Sequence, residues 1–268
     1  MIIAIDTGGT KTLVAAFEAD GSLRERVKLP TPRDQTEYID MVVREAQKLL
    51  SGDEPEAISV ALPGVIREQV AVVCKNLNWH NFDVLAELKS YWPEVPMYLE
   101  NDANLGAVGA ARLTEPLPHK LLYLTISTGV GGGVVIDGGI DTTLTDAEFG
   151  DQVLEYNGRL TDWERIASGR ALFSLYPEEL TDATDAKTKQ EIARRIARGL
   201  LALLPVLRPD VVAFGGGLGA KYRLLEPFLH QELATLPPQY LPDIITAPYP
   251  EEIVIYGCYY HALATLNA

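Results

Sequence analysis

Residues 97–112 read Met-Tyr-Leu-Glu-Asn-Asp-Ala-Asn-Leu-Gly-Ala-Val-Gly-Ala-Ala-Arg, and the rest of the chain is interpreted around them. The apolar run at 97–99 predicts a buried strand, and the small residues after it predict a helix that begins near Asn101 or Asp102. A carboxylate is thereby placed at a strand end, where open α/β sheets bind their ligands. From this stretch alone, Asp102 is either a helix cap or a catalytic base.

The composition indicates a globular chain of 268 residues, 47% of them hydrophobic, which is long enough to bury a sizeable core. The net charge of −14 disfavours nucleic acids and anionic membranes as partners, because both are negatively charged themselves. Two cysteines, Cys74 and Cys258, lack the spacing of a disulfide framework or a zinc site. Residues 1–6 contain no basic segment and no long apolar run, so we expect a cytoplasmic protein without an export signal.

The first glycine-rich loop, Asp6-Thr-Gly-Gly-Thr-Lys-Thr12, separates two apolar runs and predicts a hairpin. Its glycines let backbone N–H groups approach a ligand, and Lys11 adds a positive charge, so the loop suits a phosphate. A plain hairpin turn is the other interpretation. The loop is not a Walker loop, since that glycine and lysine spacing is absent.

Between this loop and α-helical residues 102–112, strands and helices are expected to mix. The sequence predicts a strand at 23–29, a helix capped by Asp34 or Thr36, strands near 57–62 and 70–73, and a helix over 82–91. Asn76-Leu-Asn-Trp79 places an aromatic ring among amides, which suits a sugar, although a tryptophan in a loop is more often simply packed.

A proline-rich joint at 114–119 predicts a domain boundary, and the order of elements then starts again. Residues 121–126 predict a strand, Ser127-Thr-Gly-Val-Gly-Gly-Gly133 a second glycine turn, and residues 134–136 another strand. Two such loops, one opening each half of the chain, suggest duplicated α/β domains that face one nucleotide.

The remaining segment contains one more glycine-rich turn. Residues 143–159 have no clear period, and their acidity is typical of a solvated loop. The sequence then predicts a helix capped by Asp162 with Leu172 and Leu175 inward, a long helix over 185–204 that Pro205 and Pro209 bracket, and a terminal helix over 253–266. Gly215-Gly-Gly217 follows a buried strand and opens a helix from about Ala220, where bare backbone suits a phosphate or a purine, or else a tight turn.

Eight motifs, in order and across nearly the whole chain, resemble the ROK sugar kinases of the actin, Hsp70 and hexokinase superfamily. They are Asp6-x-Gly-Gly-Thr-Lys11, Pro63-Gly64, Asn76-Leu-x-Trp79, Glu100-Asn-Asp-Ala-Asn104, Ser127-Thr-Gly-x-Gly-Gly-Gly133, Glu148-x-Gly150, Glu164-x-x-Ala-Ser-Gly169 and Gly215-Gly-Gly217. The resemblance implies an α/β fold of two ribonuclease-H-like, actin-like ATPase domains around a central cleft. It implies domains at 1–112 with about 252–268, and at 113–251.

The resemblance also implies roles for individual residues. Asp102 becomes the base that takes a proton from a sugar hydroxyl, and Asp6 helps to hold Mg²⁺ through water. The sugar-binding residues that the resemblance implies are Gly64, Asn76, Asn101, Asp102, Glu148, Asp151 and Glu164. The ATP-binding residues that it implies are Gly8, Gly9, Thr10, Lys11, Thr128, Gly129, Gly216 and Gly217.

The chain departs from the family pattern at two places. Asp151 stands where many members have a histidine that contacts the sugar, and an ionised carboxylate accepts hydrogen bonds but donates none. This puts glucose in doubt and leaves another hexose, an amino sugar or a site without turnover open. The segment from 152 to 163 contains no cysteine, so we expect no structural zinc.

The sequence therefore predicts ATP-dependent phosphorylation of a hexose or an N-acyl-hexosamine. The alternative is a sugar-binding regulatory protein without turnover; ROK repressors carry an N-terminal helix-turn-helix, which is not expected before the first strand here. A kinase for a non-sugar alcohol is a third interpretation. We expect a small sugar and a nucleotide as ligands, no nucleic acid or membrane partner, and leave a homodimer open.

Overall fold

The structure, a computed structural model, describes residues 1–267. The chain divides into two compact units, one formed by Met1–Arg112 with the chain from Val254 onward and the other by Leu113–Ile253. Each unit is of the mixed α/β class and has its own five-stranded sheet and hydrophobic core.

The first segment of the first unit begins with a hairpin and ends at Arg112. Its elements are β1 (Ile2–Thr7), β2 (Lys11–Phe17), β3 (Leu23–Pro30), α1 (Gln35–Leu50), β4 (Ala57–Leu62), β5 (Val65–Arg67), β6 (Val70–Cys74), β7 (Trp79–Phe82), α2 (Val84–Lys89), β8 (Met97–Asn101) and α3 (Asp102–Arg112). The predicted elements lie close to their expected bounds, but the sequence did not predict β5 and β7, and Phe82 ends β7 instead of beginning a helix.

The main sheet of the first unit has the strand order β3-β2-β1-β4-β8. The hairpin strands β1, β2 and β3 run antiparallel, whereas β1, β4 and β8 run parallel. In the register of the parallel strands, Asp6 lies beside Ala61, and Ala61 lies beside Glu100. The carboxyl ends of the three parallel strands therefore meet at one edge of the sheet.

A small three-stranded sheet, β5-β6-β7, is inserted between β4 and α2. Trp79 on β7 is buried, packs against Tyr38 and Phe82, and donates its indole N–H to the Arg33 carbonyl at 2.7 Å. Of the two interpretations of this tryptophan, the packed one is therefore correct. Asp34 caps α1, since its carboxylate accepts from the N–H groups of residues 36 and 37.

The second unit repeats the arrangement. Its elements are β9 (Lys120–Ile126), β10 (Val130–Ile136), β11 (Gly139–Ile140), β12 (Val153–Tyr156), β13 (Arg159–Asp162), α4 (Trp163–Ala167), α5 (Gly169–Leu175), α6 (Ala186–Leu207), β14 (Val211–Gly215), α7 (Gly216–Gly219), α8 (Tyr222–Leu233) and β15 (Asp243–Thr246). The sheet order is β11-β10-β9-β14-β15. Strands β11, β10 and β9 run antiparallel, and β9 also runs parallel to β14, which runs parallel to β15. This is the topology of the first sheet, and it shows the duplication that the two glycine loops suggested.

Two features of the strands in the second unit differ from the expectations. Gly131, Gly132 and Gly133 belong to β10, so the glycine turn is confined to residues 127–129. The segment expected as a solvated loop contains the hairpin of β12 and β13, whose Tyr156 is buried and bonds Glu191 on α6. The polar partner on α6 gives the acidic segment a fixed structure.

The helices of this unit also deviate in detail. Ser168 interrupts the helix after Asp162 and caps α5, so α4 and α5 are separate. Leu172 is buried as expected, but Leu175 is 52% exposed and does not face the core. Helix α6 continues through Pro205 to Leu207 instead of ending at the proline.

The terminal helix α9 (Ile253–Leu266) packs in the first unit. A Cβ atom on Gly257 would overlap the backbone carbonyl of Leu105 on α3, so the two helices approach as closely as a glycine allows. Across residues 1–267, the helices are too short or too polar to span a membrane.

Candidate active site

The parallel strands of the first unit end in the residues for which the sequence predicted chemistry. Asp6 lies near the end of β1, Gly64 follows β4, and Asn101 ends β8 with Asp102 as the first residue of α3. Because the strands are parallel and in register, their loops share one edge of the sheet. Such an edge is where open α/β sheets hold ligands.

Asn101 performs the capping role at the start of α3. Its Oδ1 accepts from the N–H groups of Ala103 at 2.8 Å and Asn104 at 3.2 Å, while its Nδ2 donates to the Gly64 carbonyl at 2.9 Å. Asp102, one residue further on, also accepts from Ala103 N–H at 2.8 Å. The cap is therefore present without Asp102, which sits in the first helical turn, where the helix dipole favours a negative charge.

Glu100 supports the same junction from the strand side. Its Oε1 accepts from the Asn101 N–H at 2.7 Å and from the Asn104 amide at 3.0 Å. Asn104 is only 2% exposed, so the connection between β8 and α3 is held inside the unit. The backbone that carries Asp102 is consequently fixed on both sides.

Asp6 and Asp102 influence each other electrostatically. Burial, and after it the negative charge of Asp102, raise the pKa of Asp6 to about 7, and the positive charge of Lys28 partly opposes this shift. Among residues 1–267, no three or more His, Cys, Asp or Glu side chains are grouped so that they could hold a metal ion.

The loop between β1 and β2 has the compact shape of a glycine turn. The Gly8 N–H donates to the Lys11 carbonyl at 2.8 Å, and Thr31 fastens the loop from outside through the Gly8 carbonyl at 2.9 Å and the Thr10 carbonyl at 3.1 Å. A Cβ on Gly9 would lie 3.1 Å from the Cβ of Asn76. Thr10 and Lys11 are exposed and available to a ligand.

The loops of the small sheet lie beside the same edge. Gly64 has a φ of +100°, and a Cβ there would overlap the Val73 carbonyl, so only glycine fits this turn. The side chain of Arg33 donates to the Asn76 carbonyl, which holds the loop after β6. Gly64 and Asn76 therefore both occupy constrained positions close to Asn101 and Gly9.

In the second unit, the glycine turn after β9 is built around Glu164. The Glu164 carboxylate accepts from the Val130 N–H at 3.0 Å, and a Cβ on Gly129 would overlap that carboxylate. The Gly169 N–H donates to the Ser127 carbonyl at 2.7 Å. Thr128, at the tip of this turn, is exposed.

Glu148 immediately precedes a short 3₁₀ turn at Phe149–Asp151, and Asp151 is the last residue of that turn. Both side chains belong to exposed residues, whereas Gly150 between them packs so closely on the Val130 carbonyl that a Cβ would overlap it. The turn therefore holds both carboxylates next to the start of β10, the strand that follows the glycine turn.

The start of α7 borders the cavity of the second unit. Gly216 has a φ of +74° and donates to the Pro250 carbonyl at 2.8 Å, and a Cβ on Gly217 would meet no atom within 4 Å. The adjoining cavity has a volume of about 190 Å³. Its walls combine apolar and polar side chains: Leu172, Phe173, Tyr176, Glu178, Glu179, Leu180, Thr184, Thr188, Ile192, Leu218 and Lys221, with Gly169 and Gly217.

The structure thus brings the predicted residues together within each unit. Asp6, the loop at 8–11, Gly64, Asn76, Asn101 and Asp102 gather in the first, and the residues at 128–129, 148–151, 164 and 216–217 gather in the second. Sequence reasoning missed the cavity walls on α5 and α6, because ordinary amphipathic spacing cannot distinguish a core face from a ligand pocket.

Two duplicated ribonuclease-H-like sheets, each with a glycine turn after its first strand, define a protein of the actin-like ATPase fold. The sequence profile described as the ROK family matches residues 2–257. The chain therefore belongs to the ROK family. Its curated relatives are sugar kinases, and the chain is a kinase of that class.

Three similar proteins illustrate the match. An N-acetylmannosamine kinase of Shigella flexneri is 30% identical, with 96% of each chain covered. The ROK hexokinase of Thermus thermophilus is 25% identical, covers 99% of both chains and superimposes with a TM-score of 0.78. The ROK family glucokinase of Streptomyces griseus, solved with glucose and AMPPNP, is 22% identical, with 98% and 99% covered and a TM-score of 0.80.

Proposed function

We propose that this protein transfers the γ-phosphoryl group of ATP to a sugar hydroxyl, and that Asp102 takes the proton from that hydroxyl. The observation that carries the proposal is the junction of β8 and α3. Because Asn101 supplies the cap, the carboxylate of Asp102 is placed at a ligand-binding sheet edge without being required for the helix. A positioned carboxylate is what phosphoryl transfer to an alcohol needs.

The nucleotide phosphates are proposed to contact the two glycine turns. In the first unit these contacts come from Gly8, Gly9, Thr10 and Lys11, and in the second from Thr128 and Gly129. Bare backbone N–H groups and a lysine can bind phosphate oxygens without displacement of a side chain. Mg²⁺ would neutralise charge on the phosphates, and Asp6, whose neighbourhood to Asp102 favours a cation, would hold it through water.

The adenosine is proposed to occupy the cavity next to Gly217. A cavity of about 190 Å³ whose walls include leucine and aromatic side chains suits a planar base. The open space above Gly217 and the turn at Gly216 allow close approach of the ribose. This assignment gives Gly216 and Gly217 the role that the sequence implied.

N-acetylmannosamine is the sugar we propose to test first. The curated relatives with this activity cover almost the whole chain. The sugar-facing groups proposed in the second unit, Glu148, Asp151 and Glu164, are carboxylates that accept hydrogen bonds, and an acetamido sugar offers an N–H in addition to its hydroxyls. In the first unit, Gly64, Asn76 and Asn101 are proposed to contact the same substrate.

The proposal extends to the organisation of the protein. We infer that 1–112 with about 252–268 and 113–251 act as separate domains that serve one reaction. We also propose a cytoplasmic enzyme that needs no zinc and binds neither nucleic acid nor membrane. A homodimer is a state to be tested by light scattering.

The decisive experiment measures ADP release with a panel of sugars, comparing wild type and Asp102→Asn. Removal of a positioned base is expected to lower kcat by roughly 10²–10⁴ and to leave sugar binding, measured by calorimetry, largely intact. Glu37→Gln is the matched control, because Glu37 is an exposed carboxylate in the first turn of α1. Sugar binding by the wild type without any stimulation of ADP release would refute the kinase and favour the regulatory alternative.

A further inference from the structure

Gln69 lies in the turn between β5 and β6, and its side-chain amide pairs with the backbone of β8. The Nε2 group donates to the Leu99 carbonyl at 3.1 Å, and Oε1 accepts from the Leu99 N–H at 2.8 Å. Glu68 and Gln69 have φ values of +49° and +62°, as both central residues of a type I′ hairpin turn do. The turn thereby aims the amide of Gln69 at the neighbouring strand.

The pairing satisfies the backbone N–H and carbonyl groups of Leu99 at the open edge of β8. Strand β8 is the outermost strand of its sheet, with β4 on one side only. Leu99 is fully buried, so its N–H and carbonyl cannot be satisfied by water. The primary amide presents a donor and an acceptor together, in the manner of a residue on an adjacent strand.

The same hairpin is attached to β8 at a second point. At its base, the Gly64 carbonyl accepts from the side chain of Asn101 at 2.9 Å. The hairpin of β5 and β6 is thus fastened to β8 at Leu99 by its turn and at Asn101 by its base. It carries Gly64 before its first strand, and Asn76 follows its second strand.

We propose that Gln69 is a positioning residue that sets the location of the Gly64 and Asn76 loops relative to Asp102. The inference rests on the proposed function, since Gly64 and Asn76 are there assigned to the sugar. Without the amide pair, the turn of the hairpin loses its two hydrogen bonds to Leu99, while the bond between Asn101 and Gly64 at the base remains, so the hairpin can shift relative to β8. The sugar would then be presented to Asp102 in a less favourable geometry.

The effect should appear in the sugar parameters and not in the ATP parameters. The residues proposed for adenosine lie in the second unit, whereas Gln69 lies in the first and its amide bonds the backbone of β8. A displacement of about 1 Å at a reacting centre lowers turnover by up to about 10²-fold. For Gln69→Leu, which replaces the amide by a slightly shorter apolar group and removes both hydrogen bonds, we expect roughly tenfold weaker sugar binding and a roughly ten- to hundredfold lower kcat.

The test titrates wild type and variants with N-acetylmannosamine and with glucose by calorimetry, and measures KM for ATP in parallel. Gln69→Glu keeps the acceptor for the Leu99 N–H but loses the donor, so it should fall between wild type and Gln69→Leu. Glu68→Gln changes the exposed neighbour in the same turn and should behave as wild type.

The outcomes separate this inference from the function on which it rests. Weaker sugar binding with an unchanged KM for ATP supports a positioning role. Equal sugar affinity in wild type and Gln69→Leu, or a parallel loss of sugar and ATP binding with lower thermal stability, would overturn the inference alone. A wild type that binds neither of these sugars, nor any other sugar of the panel, would overturn the proposed function and this inference with it.

Discussion

Replacement of Asp6 by asparagine is expected to stabilise the protein at neutral pH in the absence of magnesium and nucleotide. The pKa of Asp6 is raised from 3.8 to about 7, chiefly by burial and then by the charge of Asp102. Between these two pH values the folded chain retains a proton that the unfolded chain has released. Stability is therefore lost as the pH rises from about 4 to about 7, and the loss is complete above pH 7.

The size of the effect follows from the pKa difference. A shift of about three units at 1.36 kcal/mol per unit corresponds to about 4 kcal/mol. This figure is an upper bound, because part of Asp6 remains accessible to water. Asparagine has nearly the same shape and no charge, so Asp6→Asn should gain a large part of this free energy at pH 8 and almost none at pH 4.

The assay is urea denaturation of the full chain in EDTA at pH 4, 5, 6, 7 and 8, followed by tryptophan fluorescence. Asp20→Asn is the control, because Asp20 is exposed and its pKa is lowered by hydrogen bonds from Ser22. Asp102→Asn should recover part of the same gain, since it removes the second cause of the shift. A free-energy difference between wild type and Asp6→Asn that is the same at pH 5 and pH 8 would refute the reasoning.

Two glycine substitutions test the packing at opposite extremes. Gly257→Ala would place a methyl group against the Leu105 carbonyl, and overpacking of this kind should destabilise the first unit by about 1–3 kcal/mol. The measurement is urea unfolding, and an unchanged midpoint would contradict the close approach of α9 and α3. Gly217→Ala meets no atom within 4 Å, so stability should stay within about 0.5 kcal/mol of wild type while KM for ATP rises severalfold. A KM for ATP equal to that of wild type would show that Gly217 does not contact the nucleotide.

Most of the fold could be predicted because its signals are local. The apolar runs of β1, β4, β9 and β14, the cap at Asp34 and the ends of α9 need only neighbouring residues to be recognised. The duplication was also visible, since each unit repeats a glycine turn after its first strand. The identical strand order of the two sheets then follows from the same sequence of hairpin and parallel crossovers.

The errors arose where distant residues decide the local structure. The hairpin of β12 and β13 has few apolar residues, and it is held by contacts of Tyr156 with Glu191 and Arg194 on α6. Gly132 belongs to β10, and the position is occupied by a glycine because a Cβ there would be 2.8 Å from the ring of Phe149, a residue of the following turn. Neither partner can be inferred from the period of the segment itself, so a loop was the natural prediction for both.

Whether Asp102 is the helix cap or is available as a base depends on whether α3 is capped by Asn101 or by Asp102, a difference of one residue. Helix boundaries read from sequence are uncertain by one or two positions, and both Asn101 and Asp102 are residue types that cap helices. The structure assigns the cap to Asn101, whose amide can also donate to the Gly64 carbonyl, which a carboxylate at that position could not do. An asparagine followed by an aspartate therefore divides two tasks between neighbours. The amide of Asn101 joins the strand, the helix and the Gly64 turn, and the carboxylate of Asp102 lies at the sheet edge, where its charge contributes to the raised pKa of Asp6.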